Sequence, residues 1–487
     1  MIAAHKAIFK SFSRIQRVRR LLLAFCLLAL SAPAGAQERL PPQVEQALAA
    51  ARIAQSGVAV FVQEVGASRP TLQLNENVSM NPASVMKLVT TYAALELLGP
   101  AYRWRTAVYL EGTLNEGVLE GNLVLKGGGD PRLTLESFWL LLRALRDKGL
   151  REIRGDLVLD RSRFERRQGK PGDFDGDSFR PYNVLPDALL VSYRSLRFSF
   201  LPSPESGTVR VSVQPRPPAL DVVNVLRLSE GPCPEGRAFR DLLQPTFEPA
   251  RPRVIFSGRY PASCGEKEMH VALLEPNDHV AGMVHQLWGE IGGAWSGAVR
   301  EGLAPAGTPF HVQESAPLGE LVRDANKLSN NVVARHIFLA LAGGPGAPPA
   351  SAPRAAEAVR AWLARKGLAA PELVLENGSG LSRAERISAA TLAALLQFAW
   401  QSHVMPEFLS SLPIVALDGT MRRRLKDSGV AGQAHVKTGL LADARSMAGY
   451  VLDRGGRRMV VVMMVNHPGA HQAQEAMDAL LRWAYER

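Results

Sequence analysis

Pro82-Ala83-Ser84-Val85-Met86-Lys87-Leu88-Val89 is the stretch around which the rest of the chain arranges itself. Pro82 suits a first helical turn, and Val85, Leu88, Val89, Tyr92, Leu95 and Leu98 recur at helical spacing until Gly99 and Pro100 stop the helix. Ser84 therefore stands at a helix start, with Lys87 three residues on and on the same face. Alone, Ser-x-x-Lys is weak, since composition would place about two in a chain of 487 residues. Its setting and two downstream motifs give it weight.

Those motifs, in fixed order, are Ser329-Asn330-Asn331 and Lys437-Thr438-Gly439. A serine hydroxyl is a poor nucleophile at neutral pH unless a base takes its proton as the new bond forms. Lys87 can be that base if burial and a second cation, for which Lys437 is the candidate, favour its neutral form. A helix start also turns backbone N–H groups toward a developing oxyanion. Ser329 offers a hydroxyl for relaying a proton to a leaving amine, and Asn331 an amide able to bond both lysine and substrate backbone. Lys437 and Thr438 end a strand candidate, and Gly439 leaves room for backbone to approach, which suits an extended peptide with a terminal carboxylate. Read singly, these residues are a helix cap, turn formers and a strand end. Read together and in order, they are a serine acyl-transfer site.

Residues 1–36 are set aside as a secretory leader with cleavage before Gln37. Lys6, Lys10, Arg14, Arg17, Arg19 and Arg20 precede the apolar run Leu21 to Leu30, and Ala34, Gly35 and Ala36 come after it. That run of about ten is short of the roughly twenty a spanning helix needs. Bulky Phe25 before Cys26 argues against a lipoprotein anchor. Removing those six basic residues lowers the formal net charge from +11 to +5, which withdraws support for nucleic-acid binding. Arg422, Arg423 and Arg424 read as a solvated loop or strand edge. Cys233 and Cys264 remain in the exported chain, in Pro- and Gly-rich surroundings where a disulfide is the expected state. The histidines show no metal-ligand spacing. Neither a metal nor a cofactor is expected.

Along the chain, Pro42 to Gln55 reads as an amphipathic helix and Val58 to Val65 as a strand. From Trp104 to about Leu274 come short strand candidates divided by Gly, Pro and Asp, with one helix from Leu135 to Lys148. Helical periodicity returns at Asp278 to Ile291, Leu318 to Ala342, Ala355 to Lys366 and Ala389 to Gln401. Strand candidates Ala434 to Thr438, Ser446 to Asp453 and Arg458 to Asn466 precede a last helix from Gln472 to Tyr485. The expected fold is α+β, one domain built from both chain ends around inserted β-rich material.

With Gly128-Gly129-Asp130-Pro131, Asn377-Gly378-Ser379-Gly380-Leu381-Ser382-Arg383, and Leu412-Pro413 before Asp418-Gly419-Thr420, the chain resembles the class C low-molecular-mass penicillin-binding proteins. These are the D-alanyl-D-alanine carboxypeptidases and endopeptidases of the bacterial periplasm. The 245 residues from Ser84 to Ser329 set it apart from serine β-lactamases and simpler carboxypeptidases. The resemblance implies a β-lactamase/transpeptidase-like catalytic domain, an antiparallel sheet flanked by helices, at 37–102 and 275–487. It implies one inserted domain at 103–195 and 257–274, and a second, nested at 196–256. It further implies Ser84 as acyl-enzyme nucleophile, Lys87 as base, Ser329 and Asn331 as proton-relay and substrate groups, and Lys437 with Thr438 as carboxylate binders. Asp177, in the loop Gly172 to Phe179, is implied to meet the charged end of a diaminopimelate side chain.

Two departures stand out. Leu440 comes after Lys437-Thr438-Gly439 where many relatives carry Thr or Ser, so only its backbone N–H can serve the substrate. Asn377 replaces an Asp common at the start of its segment. Peptidoglycan peptides are the expected substrates and β-lactams the expected covalent inhibitors, while oligomeric state and peripheral attachment to membrane or wall stay open. A secreted β-lactamase would need a group that activates water, and no Glu-x-x-Leu-Asn-like segment is suitably placed after Asn331. A non-catalytic wall scaffold or β-lactam sensor would not need the intact set.

Overall fold

The two ends of the chain meet in one antiparallel sheet. In the computed structural model, which describes residues 39–166, 169–344 and 346–487, its strands run in the order Ala434–Leu440, Ala444–Leu452, Arg458–Asn466, Val58–Glu64 and Leu72–Leu74. The leader at 1–36 lies outside the described residues. Val58 pairs with Val465 and Glu64 with Met459, so strands from opposite ends of the sequence lie side by side.

Arg458–Asn466 shows why a sheet forms here. Its Val and Met residues are buried on both faces, with Val460, Val462 and Met464 in one apolar cluster and Met459, Val461, Met463 and Val465 in another. The two-residue repeat of a strand makes this split, and burial of both faces requires helices on each side. Pro42–Ala50 and Gln474–Glu486 cover one face. Lys87–Leu98, Asn331–Ala340 and Ala389–Gln401 cover the other. Lys87–Leu98 is enclosed so fully that every residue from Lys87 to Leu95 is buried, which carries the lysine into the core with its helix.

A second sheet holds Arg105–Asn115, Val118–Lys126, Glu152–Ile153 and Leu157–Asp160, joined by Ala294–Trp295, Val299–Glu301 and His311–Glu314. Leu135–Asp147 and Pro276–Glu290 pack on it through Phe138, Leu141, Leu145, Met283, Leu287 and Trp288. This corrects the expected return at 275, because residues 276–314 pack with the insertion. An apolar helix face does not declare which core it enters, and strands of two to four residues carry no readable period. The junction is elsewhere: Trp104 N–H donates to Ser315 Oγ at 3.0 Å, and Ser315 N–H donates to the Trp104 carbonyl at 3.0 Å.

The nested region has its own core, with Phe198, Phe200, Phe239, Phe256 and Tyr260 at its centre. Lys267–Val271 pairs antiparallel with Leu196–Ser203, so residues 257–274, expected to belong to the outer insertion, belong by pairing to the inner one. The chain can pair a strand with one seventy residues earlier without any local signal of it. Cys233 and Cys264 are joined, with Cα atoms 4.8 Å apart and a sequence separation of 31. In the chain-entropy model a loop of this size is worth about 3 to 4 kcal/mol. Replacing both cysteines by serine should raise amide hydrogen exchange throughout 196–274 and leave exchange in the sheet containing Arg458–Asn466 unchanged; uniform loosening of the molecule would contradict an independent inner core.

Candidate active site

Ser84 lies in a one-turn 3-10 segment, Ala83–Met86, that runs directly into the Lys87–Leu98 helix. Ala83 has φ of 46°, a left-handed conformation costing a non-glycine residue about 1 kcal/mol or more. Its surroundings hold it there. Ala83 N–H donates to Asn81 Oδ1 at 2.9 Å, Asn81 and Asn466 exchange backbone-to-side-chain hydrogen bonds at 2.7 and 2.9 Å, and Ser446 Oγ donates to the Pro82 carbonyl. Ser329 is also left-handed, with φ of 56° in the break between Leu318–Lys327 and Asn331–Ala340. The helical periodicity over 318–342 ran through this break, and Asn330, whose Oδ1 accepts from Val333 N–H at 3.1 Å, restarts the helix.

Lys87 has no exposed surface, and its Nζ donates to Ser84 Oγ at 3.0 Å, Asn331 Oδ1 at 2.7 Å and the Ser379 carbonyl at 2.5 Å. Three donors meet three acceptors. Burial holds its pKa well below the ordinary lysine range, the Lys437 charge adds to this and Arg335 adds a little more, while Glu385 opposes them. Lys437 is also wholly buried, its Nζ donating to Ser329 Oγ at 2.9 Å and the Thr438 carbonyl at 2.7 Å. Burial brings its pKa down to about 7. Two adjoining lysines thus each face one serine, and both give up a proton far more readily than a solvated lysine.

Two glycines permit the assembly. A Cβ on Gly380 would stand 1.9 Å from the Ala83 carbonyl oxygen and 2.7 Å from Ser84 N, and one on Gly439 would stand 2.7 Å from the Pro82 oxygen. The Gly-Ser-Gly segment and the Lys437 strand therefore press on the Ser84 turn from separate directions. Thr438 Oγ1 shares a 2.8 Å hydrogen bond with Thr420 Oγ1. Leu440 is exposed at the strand's end.

The structure thus brings Ser84, Lys87, Ser329, Asn331, Lys437 and Thr438 into one region. A cavity of about 930 Å³ opens on Ser329 and Asn331 and is walled by Arg180, Tyr182, Arg240, Lys267 and Arg423. Asp177, expected to meet the charged end of a diaminopimelate side chain, is already paired within the protein. Its Oδ2 is 2.7 Å from Arg180 Nε and 3.5 Å from an Arg240 nitrogen, and it reaches the cavity only through these two guanidiniums. Three contributors were not singled out from sequence. Lys327 ties Leu318–Lys327 to the Asp418 loop through Asp418 Oδ2 at 2.5 Å and the Leu412 carbonyl at 2.8 Å. Asn81 and Glu385 likewise act on backbone beyond their own turns, for which no local motif exists.

A sheet closed by both chain ends, with a serine at a helix start and two buried lysines beside it, is the β-lactamase/transpeptidase-like fold of the penicillin-binding proteins. The chain belongs to the D-Ala-D-Ala carboxypeptidase 3 (S13) family, whose pattern matches residues 40–487. D-alanyl-D-alanine carboxypeptidase DacB of Haemophilus influenzae is 25% identical over 418 residues, 84% of this chain and 85% of that protein. A D-alanyl-D-alanine carboxypeptidase of Actinomadura is 27% identical over 411 residues, covering 80% and 74%. The crystal structure of penicillin binding protein 4 (dacB) from H. influenzae shares the fold with a TM-score of 0.73 and 22% identity, over 90% of this chain and 99% of that one.

Gly380→Ala should displace the Ser84 turn and lower acylation by a fluorescent penicillin by at least about 10²-fold, the scale of a misplaced reacting atom. Labelling at the wild-type rate would show that the Gly380 contact does not govern the nucleophile.

Proposed function

We propose that this chain is a serine-type D-Ala-D-Ala carboxypeptidase and endopeptidase acting on peptidoglycan stem peptides and crosslinks in the periplasm. The observation that carries the reading is the placement of Lys87 Nζ, fully buried, 3.0 Å from Ser84 Oγ, with Lys437 repeating the arrangement at Ser329. The basic leader ahead of the folded chain supports export, and no described helix is long and apolar enough to cross a membrane.

Ser84 Oγ attacks the carbonyl carbon of the penultimate D-alanine while its proton passes to neutral Lys87. The oxyanion is held by the N–H groups of Ser84 and Leu440. As the C–N bond breaks, the leaving amine takes a proton through Ser329, whose hydroxyl already accepts from Lys437. Asn331, its Oδ1 committed to Lys87, presents its amide N–H to the substrate backbone. Lys437 and Thr438 receive the terminal carboxylate, and water then hydrolyses the ester. A β-lactam enters the same sequence and stops at the ester, since its leaving amine stays tethered and blocks water.

The cavity beside Ser329 accommodates more than a dipeptide, and its arginines suit the carboxylates of a stem peptide. Asp177 meets a diaminopimelate ammonium by exchanging it for Arg240, the longer of its two ion pairs.

Ser84→Ala should abolish covalent labelling by a fluorescent penicillin without changing the melting temperature, and Lys87→Ala should slow labelling by at least about 10²-fold. Persistent labelling of Ser84→Ala at another serine would overturn the assignment, and product analysis on purified muropeptides reads the activity directly. Asp177→Ala should impair hydrolysis of muropeptides with a free amino group and leave penicillin acylation nearly intact. Equal loss of both, or of neither, would remove Asp177 from the binding site.

A further inference from the structure

Glu385 is a carboxylate with no exposed surface, two residues beyond Leu381-Ser382-Arg383. Its Oε1 accepts three backbone N–H groups in succession, from Gly378 at 2.7 Å, Asn377 at 3.0 Å and Glu376 at 3.3 Å. Its Oε2 has no hydrogen-bond partner among the described residues. A buried carboxylate is expensive unless nearby charge compensates it. The turn it grips performs two tasks: the Ser379 carbonyl accepts from Lys87 Nζ at 2.5 Å, and the Gly378 carbonyl accepts from Thr90 Oγ1, one helical turn further, at 2.6 Å. Glu385 thus holds the turn up to Gly378, and Asn377 Oδ1, accepting from Ser379 N–H and Oγ, carries that hold on to the residue whose carbonyl meets the base.

The charges around Lys87 are unequal. Lys437 and Arg335 are buried cations facing it from the Ala434–Leu440 strand and the Asn331–Ala340 helix, while Glu385 is the anion acting on it; burial raises the Glu385 pKa, and the three backbone N–H groups and Lys87 oppose that rise. Glu376, on the same turn as the gripped N–H groups, is exposed and acts on Arg335. Asn377 positions Ser379 but, being uncharged, cannot supply the counter-charge. Its Oδ1 accepts from Ser379 N–H at 2.9 Å and Ser379 Oγ at 2.6 Å, and its Nδ2 donates to the Leu381 carbonyl at 2.9 Å, a place where a carboxylate oxygen would face oxygen.

We propose that Glu385 is a positioning residue of the acyl-transfer reaction, fixing the 376–378 turn that carries the Ser379 carbonyl to Lys87 and supplying the counter-charge for the cationic side chains gathered in one buried site. This rests on Lys87 as the base. Glu385 favours the protonated form of Lys87, so removing its charge makes Lys87 release its proton at lower pH.

The test is the second-order rate of acylation by a fluorescent penicillin between pH 5 and 10, measured on the full exported chain. Glu385→Gln keeps the size and an acceptor oxygen but not the charge; its acid limb should move down by about one pH unit and its plateau should fall several-fold. Glu385→Asp keeps the charge, so its limb should stay at the wild-type position even where its plateau falls. Arg335→Gln with Glu385→Gln removes one charge of each sign, protects folding, and should bring the limb back toward wild type. A Glu385→Gln limb that is unmoved or raised overturns the proposal, as does an equal plateau loss in the Gln and Asp variants with no shift in either. Lys87→Ala, run alongside, separates the two readings, since full activity there would remove the base itself.

Discussion

The molecule is organised around a lysine amine that has been taken out of water. A buried lysine is tolerated only if every donor finds an acceptor, and Lys87 finds three, each on a different part of the chain: the Ser84 turn, the start of the Asn331–Ala340 helix and the Gly-Ser-Gly segment. The last two lie 244 and 292 residues from it in sequence. The same burial that demands the acceptors makes the amine ready to accept a proton from the serine. Structural need and chemical readiness are here one physical fact, since desolvation penalises the charged form in both accounts. The strain at Ala83 belongs to this picture, because the Gly380 and Gly439 segments that press on its turn also build the lysine's surroundings.

The sequence was most legible where a chemical task forces a local pattern. Ser84 and Lys87 are one helical turn apart because they must share a face, and Arg458–Asn466 reads as a strand from its continuous run of Val and Met, the mark of burial on both faces. The helices Leu135–Asp147 and Ala389–Gln401 and the pairing of Cys233 with Cys264 are legible in the same way, from composition and spacing. Legibility stopped where partners are distant. Nothing local in Pro276–Glu290 says that Met283 and Trp288 enter the inserted core, and nothing in Lys267–Val271 names Leu196–Ser203 as its neighbour. Asp177 illustrates the limit within the site: its position near the cleft could be inferred, but the two arginines that occupy its carboxylate could not, since Arg240 lies in another core.

The insertions affect the site through its walls. The cavity beside Ser329 is bounded by Arg180 and Tyr182 from the outer insertion and by Arg240 and Lys267 from the inner one. Arg132 adds a mechanical link, its guanidinium 3.1 Å from Glu320 and 3.3 Å from Asp324 on the helix that leads into Ser329. The insertions thus shape the cavity's walls, while the strand bearing Lys437 and Thr438 belongs to the sheet beneath Ser84.

The paired hydrogen bonds between Trp104 and Ser315 also bear on the order in which the molecule forms. Sheet closure requires Val58–Glu64 to find Arg458–Asn466 across nearly the whole chain, a contact of high sequence separation and so of slow formation. Once the stretch between Trp104 and Ser315 has folded, its two ends stand together and it no longer counts as slack in the loop to be closed. The entropy of closure then concerns a far shorter effective tether. On this view the folded insertions act as an internal splint, and the reactive serine is completed only when the last strands join the sheet.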